Sequence, residues 1–372
     1  MVLPTHHALN DCLMTISPFK FLDAYQRDDS PRFFGREKET AQLYNAVFAS
    51  NLTLLYGASG TGKSSIINCG LGNKFYDTDW LPLQIRRGDN INESLSTAIL
   101  GHLKVMTAAT DAAPNNITKQ LLELYQQQYK PIYLIFDQFE ELYILGNRTE
   151  QEIFYQTVTD ILKSGLQAKL LISIREEWIA YLNDFEKVVP ALFENRLRIE
   201  RMNEQNLKRV IYGSIKTAEG VAIELIEPVS TINLILDNIR DQREGIDLTN
   251  LQVYLDRLFR KDLERQGVPE TNHCTFDEQL VKNIGPMKNV LSDFIDEQIE
   301  KVEMELSLQG YDNPRGVPLE ILFTLATDDG TKQALTVEGI LEQLPANRKV
   351  TKEQVEFCLA EFERIKILRP VE

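Results

Sequence analysis

The sequence has few of the features that mark secreted, membrane or nucleic-acid-binding proteins. Its 372 residues include four cysteines without a CxxC pair, which indicates neither a disulfide framework nor a zinc site. No apolar run approaches the roughly 18 residues of a membrane span, and the start, MVLPTHHALNDC, lacks the layout of a signal peptide. Lys and Arg number 40 against 55 Asp and Glu, for a net charge of -15. These shortages predict a cytoplasmic protein without membrane partners, and they disfavour nucleic acid as a partner.

Short apolar runs alternate with amphipathic helical patterns between residues 17 and 202. This alternation predicts an α/β domain with a mostly parallel sheet, and three runs are apolar nearly throughout, as in strands buried on both faces. After Met202 the pattern is helical to about residue 310, and residues 316–372 hold short helices and a terminal ILRPV that could form a strand. The predicted strands are NLTLLY (51–56), WLPLQIRR (80–87), PIYLIFD (131–137), AKLLISIR (168–175) and RLRIERM (196–202).

The segment GASGTGKS, residues 57–64, joins a predicted strand to a predicted helix and fits the pattern G-x-x-x-x-G-K-[ST]. Its glycines allow successive backbone N–H groups to face one concavity, and the following helix directs its positive end at the same anion. Lys63 supplies a charge for the β- and γ-phosphates, and the Ser64 hydroxyl supplies an oxygen ligand for Mg²⁺. A chance glycine loop would lack this strand–loop–helix context. The predicted nucleotide-binding residues of the loop are Gly57, Ser59, Gly60, Thr61, Gly62, Lys63, Ser64 and Ser65.

A second segment, IYLIFDQFEELY, places Asp137 directly after an apolar strand. Open α/β sheets bind ligands at the carboxyl ends of their strands, so we predict that Asp137 holds Mg²⁺ together with Ser64. Glu140 and Glu141 follow within one helical turn, where either could orient the water that attacks the γ-phosphate, and we favour Glu140. The alternative is a solvated acidic helix start, because acidic residues are favoured at helix N-termini.

The segment LLISIREEW ends the next apolar strand on Arg175, which should face the same crevice. A guanidinium there can bind the γ-phosphate and so distinguish a triphosphate from a diphosphate. We therefore predict a catalytic and sensing role for Arg175. The alternative is a surface ion pair with Glu176 or Glu177.

With these motifs the chain resembles the STAND class of signalling P-loop NTPases, in particular its bacterial novel STAND branch. The resemblance covers about residues 17–372. In that class the hydrophobic-Gly-Arg-Glu element lies by the adenine and ribose, which implies that place for Phe34, Gly35 and Arg36. The matching segments are PFKFLDAYQRDDSPRFFGREKE, YGASGTGKSS, LIFDQFEELY, SIREEW, LTNLQVYLDRLFR and TDDGTKQALTVEGI.

The resemblance implies an α/β P-loop NTPase domain with a parallel sheet in the strand order 5-1-4-3-2, then an α-helical domain and a winged-helix domain. It also implies a switch that binds ATP, ADP and Mg²⁺, hydrolyses ATP slowly and self-associates in the ATP state, in bacteria usually in defence against phage. The expected boundaries are an irregular lead over 1–16, the nucleotide-binding domain over 17–202, the helical domain over 203–283, and the winged helix with a helical lead-in over 284–372.

The chain departs from the class pattern in several places. We recognise neither an effector domain before residue 17 nor a C-terminal repeat sensor. The chain also stops at ILRPVE, just before the usual His-Asp pair, so we expect a fragment of a longer protein. Within the helical module, GIDLTN stands where the class has a Gly-x-Pro element.

Two other functions are weighed against the switch. An initiator-like AAA+ DNA-binding ATPase also joins a P-loop domain to a winged helix, and it is the alternative. However, residues 316–372 carry seven Lys and Arg against ten Asp and Glu, a surface that would repel phosphates. The apolar stripe of TKEQVEFCLAEFERI (351–365) favours a helix packed inside its own domain. A metabolic kinase would need a substrate pocket and a lid, which residues 203–372 do not resemble.

Overall fold

The structure is a computed structural model, and its contacts divide the chain into two units, Met1–Ile284 and Gly285–Glu372. The predicted lead over residues 1–16 and the end of the predicted terminal strand, residues 369–371, lie outside the described residues. The residues that the structure describes are 17–103, 116–241, 245–267, 273–311, 314–326, 333, 335–345, 350–365 and 367–368.

Five strands form the sheet of the first unit: β1 (Leu52–Gly57), β2 (Leu81–Ile85), β3 (Ile132–Phe136), β4 (Ala168–Arg175) and β5 (Arg196–Arg198). They are parallel and lie in the order β2-β3-β4-β1-β5, which confirms the predicted order read from the other edge. Each strand falls within the run that predicts it, to within one residue at the end of β1. Because β3, β4 and β1 are neighbours, the segments that follow them meet at one edge of the sheet.

Both faces of the sheet are covered. Successive side chains of a strand point to opposite faces, so Leu54 joins one apolar cluster and Leu55 the other. In β3 the same alternation sends Leu134 and Ile135 to opposite clusters, and all five residues of this strand are buried. Covering on both faces explains why these runs are apolar throughout.

Strand register brings the predicted site residues together. Gly57 at the end of β1 pairs with Arg175 at the end of β4. Phe136 at the end of β3 pairs with Ile172 of β4, so Asp137 leaves the sheet beside the same strand.

Helices surround this sheet and continue beyond it. Several begin at an Asn or Asp whose side chain accepts a backbone N–H of the first turn, the usual N-cap arrangement. The helices of the first unit are α1 (Glu37–Ala49), α2 (Lys63–Ser65), α3 (Ile91–Leu100), α4 (Ile117–Gln128), α5 (Glu141–Ile144), α6 (Arg148–Lys163), α7 (Asn183–Val188), α8 (Glu204–Lys216), α9 (Pro228–Ile239), α10 (Leu248–Gln266) and α11 (Glu278–Ile284).

The region after Met202 is helical, as its pattern predicts, but it also contains a second sheet. Strands β6 (Ala222–Leu225) and β7 (His273–Phe276) pair in parallel. Each has only four residues and lies between helices, so the helical pattern of the region conceals both strands. The buried carboxylate of Asp262 in α10 accepts the Thr275 N–H at 2.8 Å and so holds β7 against that helix.

The second unit has an apolar core of its own. Its apolar cluster includes Val355, Cys358 and Phe362 on one helix, in agreement with a helix packed inside its unit. The described residues of this unit contain no β-strand, and the winged helix stays a prediction. Within the part of the chain that the structure describes, no helix is long and apolar enough to cross a membrane. The helices of the unit are α12 (Met287–Leu308), α13 (Val317–Thr324), α14 (Val337–Gln343) and α15 (Lys352–Arg364).

Candidate nucleotide-binding site

The loop between β1 and α2 has the backbone conformation that its glycines predict. Gly60 and Gly62 have φ angles of +67° and +85°, a region that residues with a Cβ rarely adopt. After α2 the chain continues as a π-helical stretch, Ile66–Leu71, so the loop leads directly into a helix N-terminus. This arrangement can present backbone N–H groups and a positive helix end to an anion.

The Arg36 side chain is an anchor for this loop. It is 2% exposed, and its guanidinium donates to the carbonyl oxygen of Thr61 at 2.8 Å and to that of Glu200 at 3.0 Å. In a trans peptide the C=O and the following N–H point in opposite directions. Holding the Thr61 carbonyl on the outer side of the loop therefore directs the Gly62 N–H toward the inner side.

A second anchor reaches the loop from α10. The Leu248 N–H donates to the carbonyl oxygen of Gly60 at 3.0 Å, which directs the Thr61 N–H inward by the same geometry. The Asp247 carboxylate lies over Gly60, where a Cβ would be 1.7 Å from Asp247 Oδ2. Because Gly60 has no Cβ, the space beside it is open to the Asp247 side chain.

The ammonium group of Lys63 lies against the start of the loop. Lys63 Nζ donates to the carbonyl oxygens of Gly57 at 2.8 Å and of Ala58 at 3.0 Å. Burial lowers the pKa of Lys63, and the nearby carboxylates of Glu140 and Asp137 oppose this shift. The loop cation and the two carboxylates that follow β3 therefore form one electrostatic group.

The two predicted Mg²⁺ ligands are in direct contact. Ser64 Oγ donates to Asp137 Oδ2 at 2.6 Å, and Asp137 is 7% exposed. A hydroxyl and one carboxylate suit Mg²⁺ when phosphate and water complete the coordination. Among the described residues, no cluster of three or more His, Cys, Asp and Glu could hold a metal by itself.

Glu140 and Arg175 form an ion pair that neither segment alone predicts. Arg175 Nε lies 2.9 Å from Glu140 Oε1, and the Arg175 N–H donates to Glu140 Oε2 at 3.2 Å. Glu140 is 3% exposed, whereas the side chain of Arg175 is 42% exposed. Glu176 pairs with Arg198 at 3.0 Å, so the acidic partner of Arg175 is Glu140.

Glu141 lies beside this pair at the start of α5 and is half-buried. Burial raises the pKa of Glu141; Arg86 opposes the shift, and Glu140 and Asp137 add to it. Glu141 is therefore more readily protonated than an ordinary glutamate, and its role in orienting water stays a prediction.

The Phe34-Gly35 element joins the lead-in to α8. A Cβ at Gly213 would lie 2.5 Å from the Phe34 ring, so this glycine allows the ring to reach the helix backbone. Gly35 has a φ of +78°, and a Cβ there would lie 3.2 Å from the side chain of Met202. Nearby, Ser65 Oγ accepts the backbone N–H of Tyr25 at 3.1 Å. The contact of Phe34, Gly35 and Arg36 with adenine and ribose stays a prediction.

Sequence reasoning missed the contact of Asp247 and Leu248 with the loop. The sequence contains a local signal, because Asp247 precedes an amphipathic helix, and its carboxylate accepts the Thr249 N–H at 2.7 Å as an N-cap. That signal predicts where the helix begins but not which loop it contacts. The same segment is the GIDLTN that stands where the class has Gly-x-Pro.

The fold is similar to that of solved ORC proteins of Aeropyrum pernix. A structure of the ORC2 protein in its ADPNP–ADP complexes aligns with a TM-score of 0.55 and 12% identity, over 94% of this chain and 100% of that one. A structure of the ORC1 protein in complex with DNA aligns with a TM-score of 0.50 and 16% identity, over 91% of this chain and 86% of that one. At such identities the likeness shows the fold alone.

The sequence itself matches a family of NTPases. No curated protein matches the chain at a significant level. The family model described as Novel STAND NTPase 1 matches residues 18–354, which include the phosphate loop and the segments that face it. The chain therefore belongs to the novel STAND NTPase 1 family.

Proposed function

We propose that this protein is a nucleotide-dependent switch. It binds ATP or ADP with Mg²⁺, hydrolyses ATP slowly, and self-associates in the ATP state, in bacterial defence against phage. The nucleotide-binding part of the proposal is supported by the family and by the geometry of the loop. The defence context is supported by the class to which the family belongs.

One observation carries the nucleotide assignment. Four groups from two segments of the chain converge at the carboxyl edge of the sheet: the Lys63 ammonium and the Ser64 hydroxyl after β1, and the carboxylates of Asp137 and Glu140 after β3. A cation beside N–H groups suits phosphate oxygens, and the hydroxyl–carboxylate pair suits a divalent cation. A glycine-rich turn with only a structural role would not require this convergence.

Mg²⁺ would be held by Ser64 Oγ and the Asp137 carboxylate. The 2.6 Å hydrogen bond between them shows that both oxygens already face one point. When bound, the cation would neutralise charge on the phosphates. The N–H groups of the loop orient the phosphate chain, and Lys63 supplies a positive charge from the same side.

The environment of Glu140 supports slow hydrolysis. Both carboxylate oxygens are engaged, one by Arg175 Nε and the other by the Arg175 N–H. This pairing fixes the carboxylate against Arg175 and competes with a hydrogen bond to an attacking water. For Glu140 to orient an attacking water, the Arg175 side chain must turn toward the phosphate. Slow turnover of this kind suits a switch whose two nucleotide states must persist.

DNA binding is not proposed. The ORC1 protein is known in complex with DNA, but the likeness to it is one of fold. In the second unit, α15 carries Glu353, Glu356, Glu361 and Glu363 against Lys352 and Arg364, and its apolar residues pack within the unit. Such a helix would repel the phosphates that dominate affinity for DNA.

The test of nucleotide binding is the Lys63→Ala variant. We expect calorimetric titration with Mg²⁺ to show affinities for ATP and ADP about 100-fold below wild type, since a charged hydrogen bond contributes up to about 3 kcal/mol. Lys119→Ala, which removes an exposed lysine of α4, is the matched control and should bind both nucleotides normally. Wild-type affinity in Lys63→Ala would contradict the assignment of the loop.

A further inference from the structure

The first turn of α10 lies on the outer side of the phosphate loop. We propose that Asp247 is a specificity-determining residue that disfavours the triphosphate relative to the diphosphate, and that Leu248 is a positioning residue for the loop. This inference rests on the proposed function, because it concerns the nucleotide preference of the same site.

The contact between this turn and the loop has three parts. The Leu248 N–H donates to the Gly60 carbonyl at 3.0 Å. The Asp247 carboxylate occupies the space over Gly60, with Oδ2 at 1.7 Å and Oδ1 at 2.1 Å from an ideal Cβ there. Leu248 Cδ1 lies 3.3 Å from an ideal Cβ at Gly62. Both glycines with positive φ are therefore covered by one helical turn.

The carboxylate of Asp247 carries a negative charge, as does the expected polyphosphate ligand. The carboxylate is fixed in place because Oδ1 accepts the Thr249 N–H at 2.7 Å. The N-terminal end of α10 compensates for part of this charge, but a carboxylate so close to the loop still repels a bound polyphosphate. An ATP molecule carries one more negative charge than ADP, so the repulsion disfavours ATP more.

The two anchors of the loop, Arg36 and Leu248, lie in different parts of the first unit. Arg36 precedes α1 and donates to Thr61 from a buried position in the α/β part of the unit. Leu248 donates to the adjacent carbonyl of Gly60 from the helical part. The inward direction of the Thr61 N–H therefore depends on the position of α10, whereas that of the Gly62 N–H does not. Through the contact of Leu248 with Gly60, the helical part can respond to whether the loop holds a diphosphate or a triphosphate.

The test of the charge effect is the Asp247→Asn variant. Asn is as good an N-cap as Asp, so the start of α10 should be kept while the charge is removed. We expect the affinity for ATP to rise about fivefold more than that for ADP, the order of a screened interaction between unit charges near a protein surface. Calorimetric titration with each nucleotide and Mg²⁺ measures this ratio. Asp237→Asn, at an exposed position of α9, makes the same change elsewhere and should leave the ratio unchanged.

The outcomes separate this inference from the function on which it rests. If wild type binds neither nucleotide, the proposed function fails. If wild type binds both and Asp247→Asn keeps the wild-type ratio, the charge effect alone is overturned. An equal rise in affinity for both nucleotides also overturns it, because that outcome reports a general opening of the site.

Hydrogen exchange tests the positioning role of Leu248 without a mutation. We expect the Leu248 amide to exchange more slowly in the ADP complex than in the complex with a non-hydrolysable ATP analogue, since the triphosphate weakens the contact with Gly60. The Leu207 amide of α8, which donates to Asn203 at 3.0 Å, is the internal control and should exchange equally in both complexes. Equal exchange of Leu248 in the two complexes would overturn this role.

Discussion

The phosphate loop and the cluster that faces it are built in different ways. In the loop, backbone carbonyls are held from outside by Arg36 and Leu248, so the groups that face a ligand are backbone N–H groups. In the facing cluster, Glu140 and Arg175 hold each other through their side chains, and the Arg175 side chain is 42% exposed. The loop can bind any polyphosphate through these backbone N–H groups, whereas the cluster can change its pairing. We infer that the backbone of the loop sets the affinity for both nucleotides, that the cluster sets hydrolysis and reads the γ-phosphate, and that Asp247 beside the loop adds to the discrimination between the two nucleotides.

The sharpest way to separate these two parts is the Glu140→Gln variant. We expect ATP hydrolysis to fall about 100-fold or more, the usual effect of losing a general base, while affinity for ATP stays within about twofold of wild type. Phosphate release measures the first quantity, and calorimetric titration measures the second. Glu177→Gln, at an exposed position near the cluster, should hydrolyse ATP normally.

The second glutamate requires its own comparison. Glu141→Gln should retain most of the hydrolysis if Glu140 orients the water. If Glu140→Gln and Glu141→Gln combined in one chain still hydrolyse ATP at the wild-type rate, both carboxylates belong to a helix start and have no catalytic role.

A smaller effect is expected from Arg175→Ala. Its guanidinium can leave Glu140 for a γ-phosphate, so its loss should lower ATP affinity about tenfold and change ADP affinity little, as expected for one charged hydrogen bond. The measured quantity is the ratio of ATP to ADP affinities. Arg196→Ala, at an exposed position of β5, is the control. An unchanged ratio would mean that Arg175 does not read the γ-phosphate.

The smallest expected effect is that of Arg36→Lys. A lysine cannot reach both carbonyls and Glu39 at once, so the loop should lose about one hydrogen bond and bind ATP and ADP each about fivefold less tightly. Titration with both nucleotides tests this, with Arg209→Lys as the exposed control. A change confined to ATP would contradict the division between loop and cluster, because the loop holds the phosphates common to both nucleotides.

The strands and the phosphate loop were predictable because their signals are local. Runs of six to eight residues, three of them apolar nearly throughout, predicted the five strands, and glycine spacing predicted the loop. The resemblance carried by those motifs predicted the strand order and the family, and both are confirmed. The short strands β6 and β7 were not predicted, because each lies between helices in a region whose overall pattern is helical.

The sequence by itself determined which side chains reach the ligand edge, because Asp137 and Arg175 end or follow apolar strands and Lys63 ends a glycine loop. Only the tertiary structure decided their partners. The pairing of Glu140 with Arg175 depends on the β3–β4 register. The contact of Asp247 with Gly60 joins residues 187 positions apart in the sequence, and it depends on how α10 packs against the phosphate loop. Such pairings follow from the packing of whole elements, and no local pattern of residues encodes them.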